Sequence, residues 1–324
     1  MKIDNYNPPF LLKSKHFNTI IPALFRKVSD INYKRHRIET PDEDFIDFDI
    51  STVGANTTAI ISHGLEGNSH KPYVKGMVKM LNENGIDAVA TNFRACSGEP
   101  NRLLSSYHIG KTDDLALLID YLQTFHRYKN IILIGFSLGG NITLKYLGEM
   151  GSKLSSEIKL AIAISVPCDL KASAMQLGTF SNFLYQFRFL RSLKKKALFK
   201  IEKFKNSGIS SGAIKKCRNF YQYDNLFTAP VSGFNDAEDY WSKCSCKQFL
   251  EAIAIPTLII NALDDPFLTP ACYPYAEAEN NSNIQLEVPR FGGHVGFMSD
   301  LRMKKIFWHE NLVKMFIKDN ISLK

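Results

Sequence analysis

Asn130–Phe136 (NIILIGF) runs straight into Ser137-Leu138-Gly139-Gly140-Asn141, and this junction restricts the fold more than any other part of the chain. A short, continuously apolar run of this kind reads as a strand buried on both faces, the mark of a parallel sheet covered by helices. A helix is expected over Asn141–Gly148, so the strand turns into it almost at once. Such a turn leaves no room for side chains on its flanks, and Gly135 and Gly139 leave that room on either side of Ser137. The pattern G-x-S-x-G in this setting holds a serine hydroxyl at the carboxyl end of the sheet and points the backbone N–H of Leu138 outward from a helix start. A glycine-rich turn with a bystander serine is the bland alternative, and the strand-to-helix context argues against it.

The rest of the chain supplies the sheet that such a junction needs. Thr57–Ser62 reads as a strand, Pro72–Asn84 as a helix, Asp87–Asn92 as a strand, and Thr112–Phe125 as a helix with Thr112 as its cap. Leu160–Ser165 is another buried strand. The alternation stops at Pro167 and resumes with Thr257–Ala262 (strand), Ala271–Glu279 (helix), Ile284–Val288 (strand) and Leu301–Ile317 (helix). Tyr33–Glu39 and Asp44–Ile50 read as leading antiparallel strands at the sheet edge. The expected organisation is an N-terminal extended arm (1–32), a first part of an α/β core (33–166), an inserted helical cap (167–246) and a second part of the core (247–324).

Two late loops carry the residue types that a serine nucleophile requires. A hydroxyl is a weak nucleophile, so a base must take its proton and a carboxylate must orient that base. Leu263-Asp264-Asp265-Pro266 follows a strand, and Phe291-Gly292-Gly293-His294-Val295-Gly296 follows the next, giving the order Ser, Asp, His. His294 is the expected base, with its glycines letting the imidazole reach back toward Ser137. Asp265 is favoured as the orienting acid because Pro266 biases it to an extended conformation; Asp264 is the alternative, or a supporting hydrogen-bond partner. His63-Gly64-Leu65 follows the Thr57 strand, and the Leu65 N–H is expected to share an oxyanion with that of Leu138. His63 itself reads as structural.

Composition narrows the function by exclusion. Hydrophobic residues are 45% and charged residues 22% of the 324, as in an ordinary globular chain. No apolar run is long enough to span a bilayer, and Met1–Phe10 has no secretory core. Six scattered cysteines suggest free thiols in a reducing cytoplasm instead of a disulfide framework. No nucleotide-binding glycine loop or metal-ligand spacing is present, so no cofactor and no metal are expected. The net charge is +8, and Arg188–Lys205 holds eight Lys or Arg against one Glu. That run reads as a solvated face or as a peripheral contact with anionic membranes, with nucleic acid the less economical partner. Phe180, Phe183, Leu184, Phe187 and Leu190 beside it could line an acyl pocket or pack the cap onto the core.

Taken together, the motifs resemble the YheT-like subfamily of the α/β-hydrolases. The resemblance rests on Ser62–Gly67 (SHGLEG), Asn92–Asn101 (NFRACSGEPN), Tyr107-His108, Thr112–Asp114, the Gly135–Asn141 turn, Gly233-Phe234, Asp239-Tyr240, Asn261–Phe267 (NALDDPF) and Gly292–Phe297. It spans nearly the whole chain. One departure is Ala95, where glycine is expected. The resemblance implies a doubly wound, mostly parallel sheet with a helical cap, and Ser137, an aspartate of the Asp264-Asp265 pair and His294 as the charge-relay residues. It also implies chemistry on small-molecule carboxylic esters with acyl chains. Acyl transfer to an alcohol shares the same acyl-enzyme, and a binding module on an inactive fold is the non-enzymatic alternative.

Overall fold

The computed structural model describes residues 6–126, 128–303 and 306–322; residues 1–5 of the expected arm, Lys304 and Lys305 of the expected last helix, and residues 323–324 lie outside them. Eight strands form one sheet among the described residues: β1 (Lys34–Glu39), β2 (Phe45–Ser51), β3 (Thr57–Ser62), β4 (Asp87–Asn92), β5 (Asn130–Phe136), β6 (Ile158–Ile164), β7 (Thr257–Ile260) and β8 (Ile284–Glu287). Their order is β1-β2-β4-β3-β5-β6-β7-β8, with β1 and β2 antiparallel to their neighbours and the rest parallel. The chain moves outward from β3 to β4 and then returns to place β5 on the other side of β3. That reversal makes a crevice above the carboxyl ends of β3 and β5, where ligands of open parallel sheets bind.

Among the described residues, twelve α-helices flank the sheet or stand over it: α1 (Lys15–Phe25), α2 (Pro72–Glu83), α3 (Asp113–Tyr121), α4 (Leu138–Met150), α5 (Leu170–Leu177), α6 (Phe183–Lys203), α7 (Ser211–Lys216), α8 (Phe220–Tyr223), α9 (Ala229–Val231), α10 (Ala237–Cys244), α11 (Tyr275–Asn280) and α12 (Trp308–Asn320). One face of the sheet packs on α3 and α4, through Leu118, Leu133, Ile142 and Leu147. The other packs on α2 and α12, through Met77, Leu81, Ile132 and Val313. Between β6 and β7 the described chain is helical with no strand, and it has its own apolar cluster around Leu190, Phe220, Phe227 and Trp241. All six cysteines are free and buried. Among the described residues no helix is long and apolar enough to cross a membrane.

Three local expectations change. The N-terminal segment is not an extended arm, because α1 forms there with Ser14 accepting from Phe17 N at its start. Thr112 precedes α3 but does not cap it; its hydroxyl donates to Glu149 Oε2 at 2.7 Å instead. The last helix starts at Trp308, not near Leu301, where Glu310 reaches back to accept from Phe307 N at 3.0 Å and satisfies a helix-start donor.

Candidate active site

Ser137 stands between β5 and α4 with φ 52° and ψ −116°, a conformation costing on the order of 1–3 kcal/mol that persists only where the surroundings enforce it. The enforcement is steric. A Cβ on Gly135 would collide with the Gly139 carbonyl, and one on Gly139 with the Ser62 carbonyl of β3. Ser137 N donates to Ile164 O at 2.8 Å, pinning the turn to β6. Two backbone donors flank it. The N–H groups of Gly64 and Glu66 are occupied by Tyr73 Oη (2.9 Å) and Tyr107 Oη (3.1 Å). The N–H groups of Leu65 and Leu138 have no partner among the described residues.

The loop after β7 brings Asp265 against the loop after β8. Asp265 Oδ2 accepts from His294 Nδ1 at 2.8 Å, with the carboxylate fully buried, and Oδ1 accepts from Phe267 N at 2.9 Å. A carboxylate so held fixes the imidazole tautomer and leaves Nε2 to face outward. The Phe267 ring packs on the imidazole with centroids 4.3 Å apart. Asp264 serves the backbone instead. Its Oδ1 accepts from Gly293 N at 2.9 Å, buttressing the histidine loop, and burial raises its carboxyl to about 6. Ser137 and His294 line one cavity, and the serine hydroxyl has no hydrogen-bond partner among the described residues. Such contacts are frequently loose until substrate is bound.

His63 is committed elsewhere. Phe93 N donates to its Nε2 at 3.2 Å, so Nδ1 carries the proton and donates to Gly64 O at 2.7 Å. Complete burial pushes the imidazole down to about 3. A neutral ring with both nitrogens occupied orients the loop bearing Leu65 and takes no proton.

The site has a wall that sequence reasoning missed. Helix α1 docks on the glycines around His294: a Cβ on Gly293 would stand 2.6 Å from Thr19 Oγ1, and one on Gly296 would collide with the Asn18 carbonyl. Those glycines therefore admit a helix, where the sequence suggested only freedom for the imidazole. Thr19 Oγ1 accepts from His294 N at 2.9 Å, Asn18 Oδ1 accepts from Met298 N at 3.2 Å, and Arg26 pairs with Glu310 of α12 at 2.7 Å. Little in the sequence signals it, because the buried face of α1 is formed by Asn18, Thr19 and Pro22 and not by Ile20, Ile21 or Leu24.

A cavity of about 460 Å³ opens over Ser137, lined on the far side by α1, α5, α6 and the chain up to α10. Its apolar lining includes Leu170, Phe189, Leu193, Phe220 and Phe227. Of the run Phe180, Phe183, Leu184, Phe187 and Leu190, expected to line it or to pack the cap, only Leu190 packs inward, in the cluster with Phe220 and Trp241. Phe180 is 96% exposed, Leu184 72%, Phe183 and Phe187 55% each, and Leu190 alone is buried. The helix turns those residues outward because Gln186, Leu190 and Ala197 take the buried side. The basic run is also split: Arg191 and Lys195 are exposed, whereas Lys196 and Lys200 point into the cavity wall. Lys200 Nζ donates to Asn101 O at 2.7 Å, and burial lowers it to about 8.

Several motif residues hold this wall to the sheet. Asn141 on α4 donates to Ile109 O and Cys244 O and accepts from Cys246 N at 2.9 Å. His108 packs edge-on against Phe234 and Tyr240. Arg94, 3% exposed, bonds Asp114 with two nitrogens and Asp42 and Asp44 with the third.

Comparison with known proteins agrees with the geometry. The chain belongs to the alpha/beta hydrolase fold family, which residues 60–301 match. Within that family it is YheT-like: it is 32% identical over 314 residues to "Putative esterase YheT" of Escherichia coli (strain K12), covering 95% of this chain and 92% of that one. It is also 25% identical over 324 residues to "Phospholipase ABHD3" of Mus musculus, covering 97% and 78%. An esterase of Pyrococcus furiosus shares the fold, with a TM-score of 0.60, 19% identity and coverage of 99% and 100%.

Proposed function

We propose that this protein is a serine hydrolase of carboxylic esters with short- to medium-chain acyl groups, acting through Ser137, His294 and Asp265. The observation that carries the reading is the buried Asp265–His294 pair facing the same cavity as a serine held at positive φ. Ser137 Oγ attacks the ester carbonyl carbon while His294 Nε2 takes its proton. The carbonyl oxygen becomes an oxyanion between the N–H groups of Leu65 and Leu138, donors that need no reorganisation. Collapse breaks the bond to the alcohol, which leaves with the proton from His294, and an acyl-serine remains. Water, deprotonated by the same imidazole, then releases the acid; an alcohol in its place would give acyl transfer. Asp265 keeps its negative charge throughout and stabilises the imidazolium.

Residues 167–246 act in this reading as a cap whose inner side receives the acyl chain. Its outer side, with Phe180, Phe183, Leu184 and Phe187 beside Arg191 and Lys195, meets an anionic bilayer from the cytoplasm. Apolar residues adjoining basic ones on one helix face are the pattern of an interfacial helix. The names of YheT and ABHD3, an esterase and a phospholipase, support ester chemistry of this kind.

A fluorophosphonate probe and a p-nitrophenyl ester series of increasing acyl length test the proposal. Ser137→Ala should lose labelling and should lower turnover by about a millionfold. A variant retaining more than about a tenth of the wild-type rate, far above that loss, would remove Ser137 from the chemistry. Folded wild type that the probe does not label would favour a binding module.

A further inference from the structure

Beside the loop that carries Leu65, the cavity wall gathers Lys71, Arg188 and Lys196 around Glu66. Glu66 is already saturated: Lys196 Nζ pairs with its Oε1 at 2.8 Å, Tyr107 Oη donates to Oε1 at 2.7 Å, and Ser192 Oγ donates to Oε2. One negative charge is thereby spent on one positive charge. The side chains of Lys71 and Arg188 have no hydrogen bond or ion pair among the described residues. Both line the cavity, Lys71 half-buried and Arg188 exposed, and they lie close enough for the charge of Arg188 to act on Lys71.

The Lys71 ammonium is held below its usual range by burial and then by Arg188, with Cys96 and Glu66 opposing the shift and Lys196 adding to it. Two like charges, the Lys71 one partly desolvated, repel each other, so the arrangement is stabilised by an anion between them. The start of α2, whose Lys71, Pro72 and Tyr73 border the cavity, adds the positive end of a helix dipole. The deeper lining is apolar.

We propose that Lys71 and Arg188 form an anion subsite that selects acyl esters bearing a phosphate group. This rests on the ester-hydrolase reading above and adds the class of substrate to it. The phosphate oxygens take Lys71 and the guanidinium of Arg188, which offers paired donors to two oxygens. The acyl chain occupies the apolar interior, and the ester carbonyl comes to Ser137.

The binding test uses Ser137→Ala protein, which needs no turnover, so it stays decidable even if the hydrolase reading fails. Calorimetry with dodecyl phosphate and with dodecyl maltoside should show the phosphate binding at least about tenfold more tightly. Adding Arg188→Gln, or Lys71→Met, should remove that preference. Where a double variant is misfolded by circular dichroism, salt replaces it: raising ionic strength should weaken dodecyl phosphate binding and leave the maltoside unaffected. Inorganic phosphate should compete with dodecyl phosphate only at far higher concentration. Equal affinity for the two amphiphiles, or inorganic phosphate bound as tightly as the alkyl phosphate, overturns the proposal. With wild type, kcat/KM for a 1-acylglycerol 3-phosphate should exceed that for the matching 1-acylglycerol, and this ratio should fall at least about tenfold in Arg188→Gln.

Discussion

The loops at the end of the sheet and the helices facing them across the cavity are built by different kinds of constraint. In the loops, each unusual backbone position demands a residue type. Gly135 and Gly139 are glycine because a Cβ would strike a carbonyl, and Asp265 and His294 are the residue types that the chemistry proposed for Ser137 needs. On the helices, the direction of a side chain depends on what the helix packs against. Phe187 and Phe189 are alike as letters, yet one faces water and the other faces the cavity. Residue type thus carries the chemistry of the corner, while the wall depends on tertiary packing.

The corner is tested most severely by separating its two adjacent aspartates. Asp265→Asn should lower kcat by roughly ten-thousandfold, because an amide facing Nδ1 favours the wrong tautomer. Asp264→Asn should cost far less, since an amide oxygen can still accept from Gly293 N. It should also change the pH dependence of stability. The folded-state carboxyl of Asp264 is raised to about 6, so the protonated form is favoured on folding. Its contribution is fully present below the unfolded value and is lost as pH rises through about 6. The asparagine variant should flatten that fall in a urea-midpoint series from pH 4 to 7. The reverse ranking in kcat would give Asp264 the orienting role.

The join between corner and wall is tested next. Gly296→Ala forces a methyl into the Asn18 carbonyl of α1. Overpacking of this kind typically costs about 1–3 kcal/mol. The loss should reach the chemistry too, because α1 also holds His294 N through Thr19. Denaturant midpoint and kcat should fall together. A normal kcat in a destabilised variant would show that α1 packs on the corner without positioning it.

How much could be read from the letters follows the same division. The eight strands, their mostly parallel order and the meeting of Asp265 with His294 were legible because apolar runs, glycines and a Pro-biased aspartate leave few conformational choices. Tyr33–Glu39 and Asp44–Ile50 were legible as antiparallel edge strands, which form as Lys34–Glu39 and Phe45–Ser51, and the register adds why: Arg35 stands opposite Asp49 and Arg37 opposite Asp47. Helix α1 was not legible. Its justification lies in Gly293, Gly296 and Glu310, more than 250 residues away along the chain. The orientation of α6 was hidden for the same reason, since Lys195 and Lys196 are alike as letters, yet one is exposed and the other pairs with Glu66.

The outer side of α6 gives a smaller effect. Phe183→Ser, Leu184→Ser and Phe187→Ser together should reduce co-sedimentation with anionic liposomes several-fold. Arg191→Gln with Lys195→Gln should reduce it most at low salt, at about 1 kcal/mol per charge near the bilayer. Lys196 lies in the same basic run, but its bond to Glu66 places it in the cavity wall, so a Lys194–Lys196 replacement would mix two effects. Wild type that ignores anionic liposomes at low salt would leave the exposed phenylalanines without a lipid role.

The smallest expected change concerns Ala95, the residue at which the family resemblance leads one to expect glycine. Cys96 N donates to Phe93 O at 2.8 Å, closing a four-residue turn in which Ala95 is third, with φ 62°. A turn with positive φ at its third position favours glycine there, because an L side chain crowds the following carbonyl. That crowding costs about 1–2 kcal/mol. Glycine would relieve it, but it also widens the unfolded ensemble, which returns about 0.4–1 kcal/mol. Ala95→Gly should therefore stabilise the protein by about 0.8 kcal/mol, the difference between the midpoints of those two ranges. The turn adjoins Arg94, whose buried pairs with Asp44 and Asp114 hold it in place, so the strain is borne without displacement. A urea series with wild type and variant side by side resolves a shift of this size at constant m. A variant less stable than wild type would show that the alanine methyl makes contacts worth more than the strain it imposes.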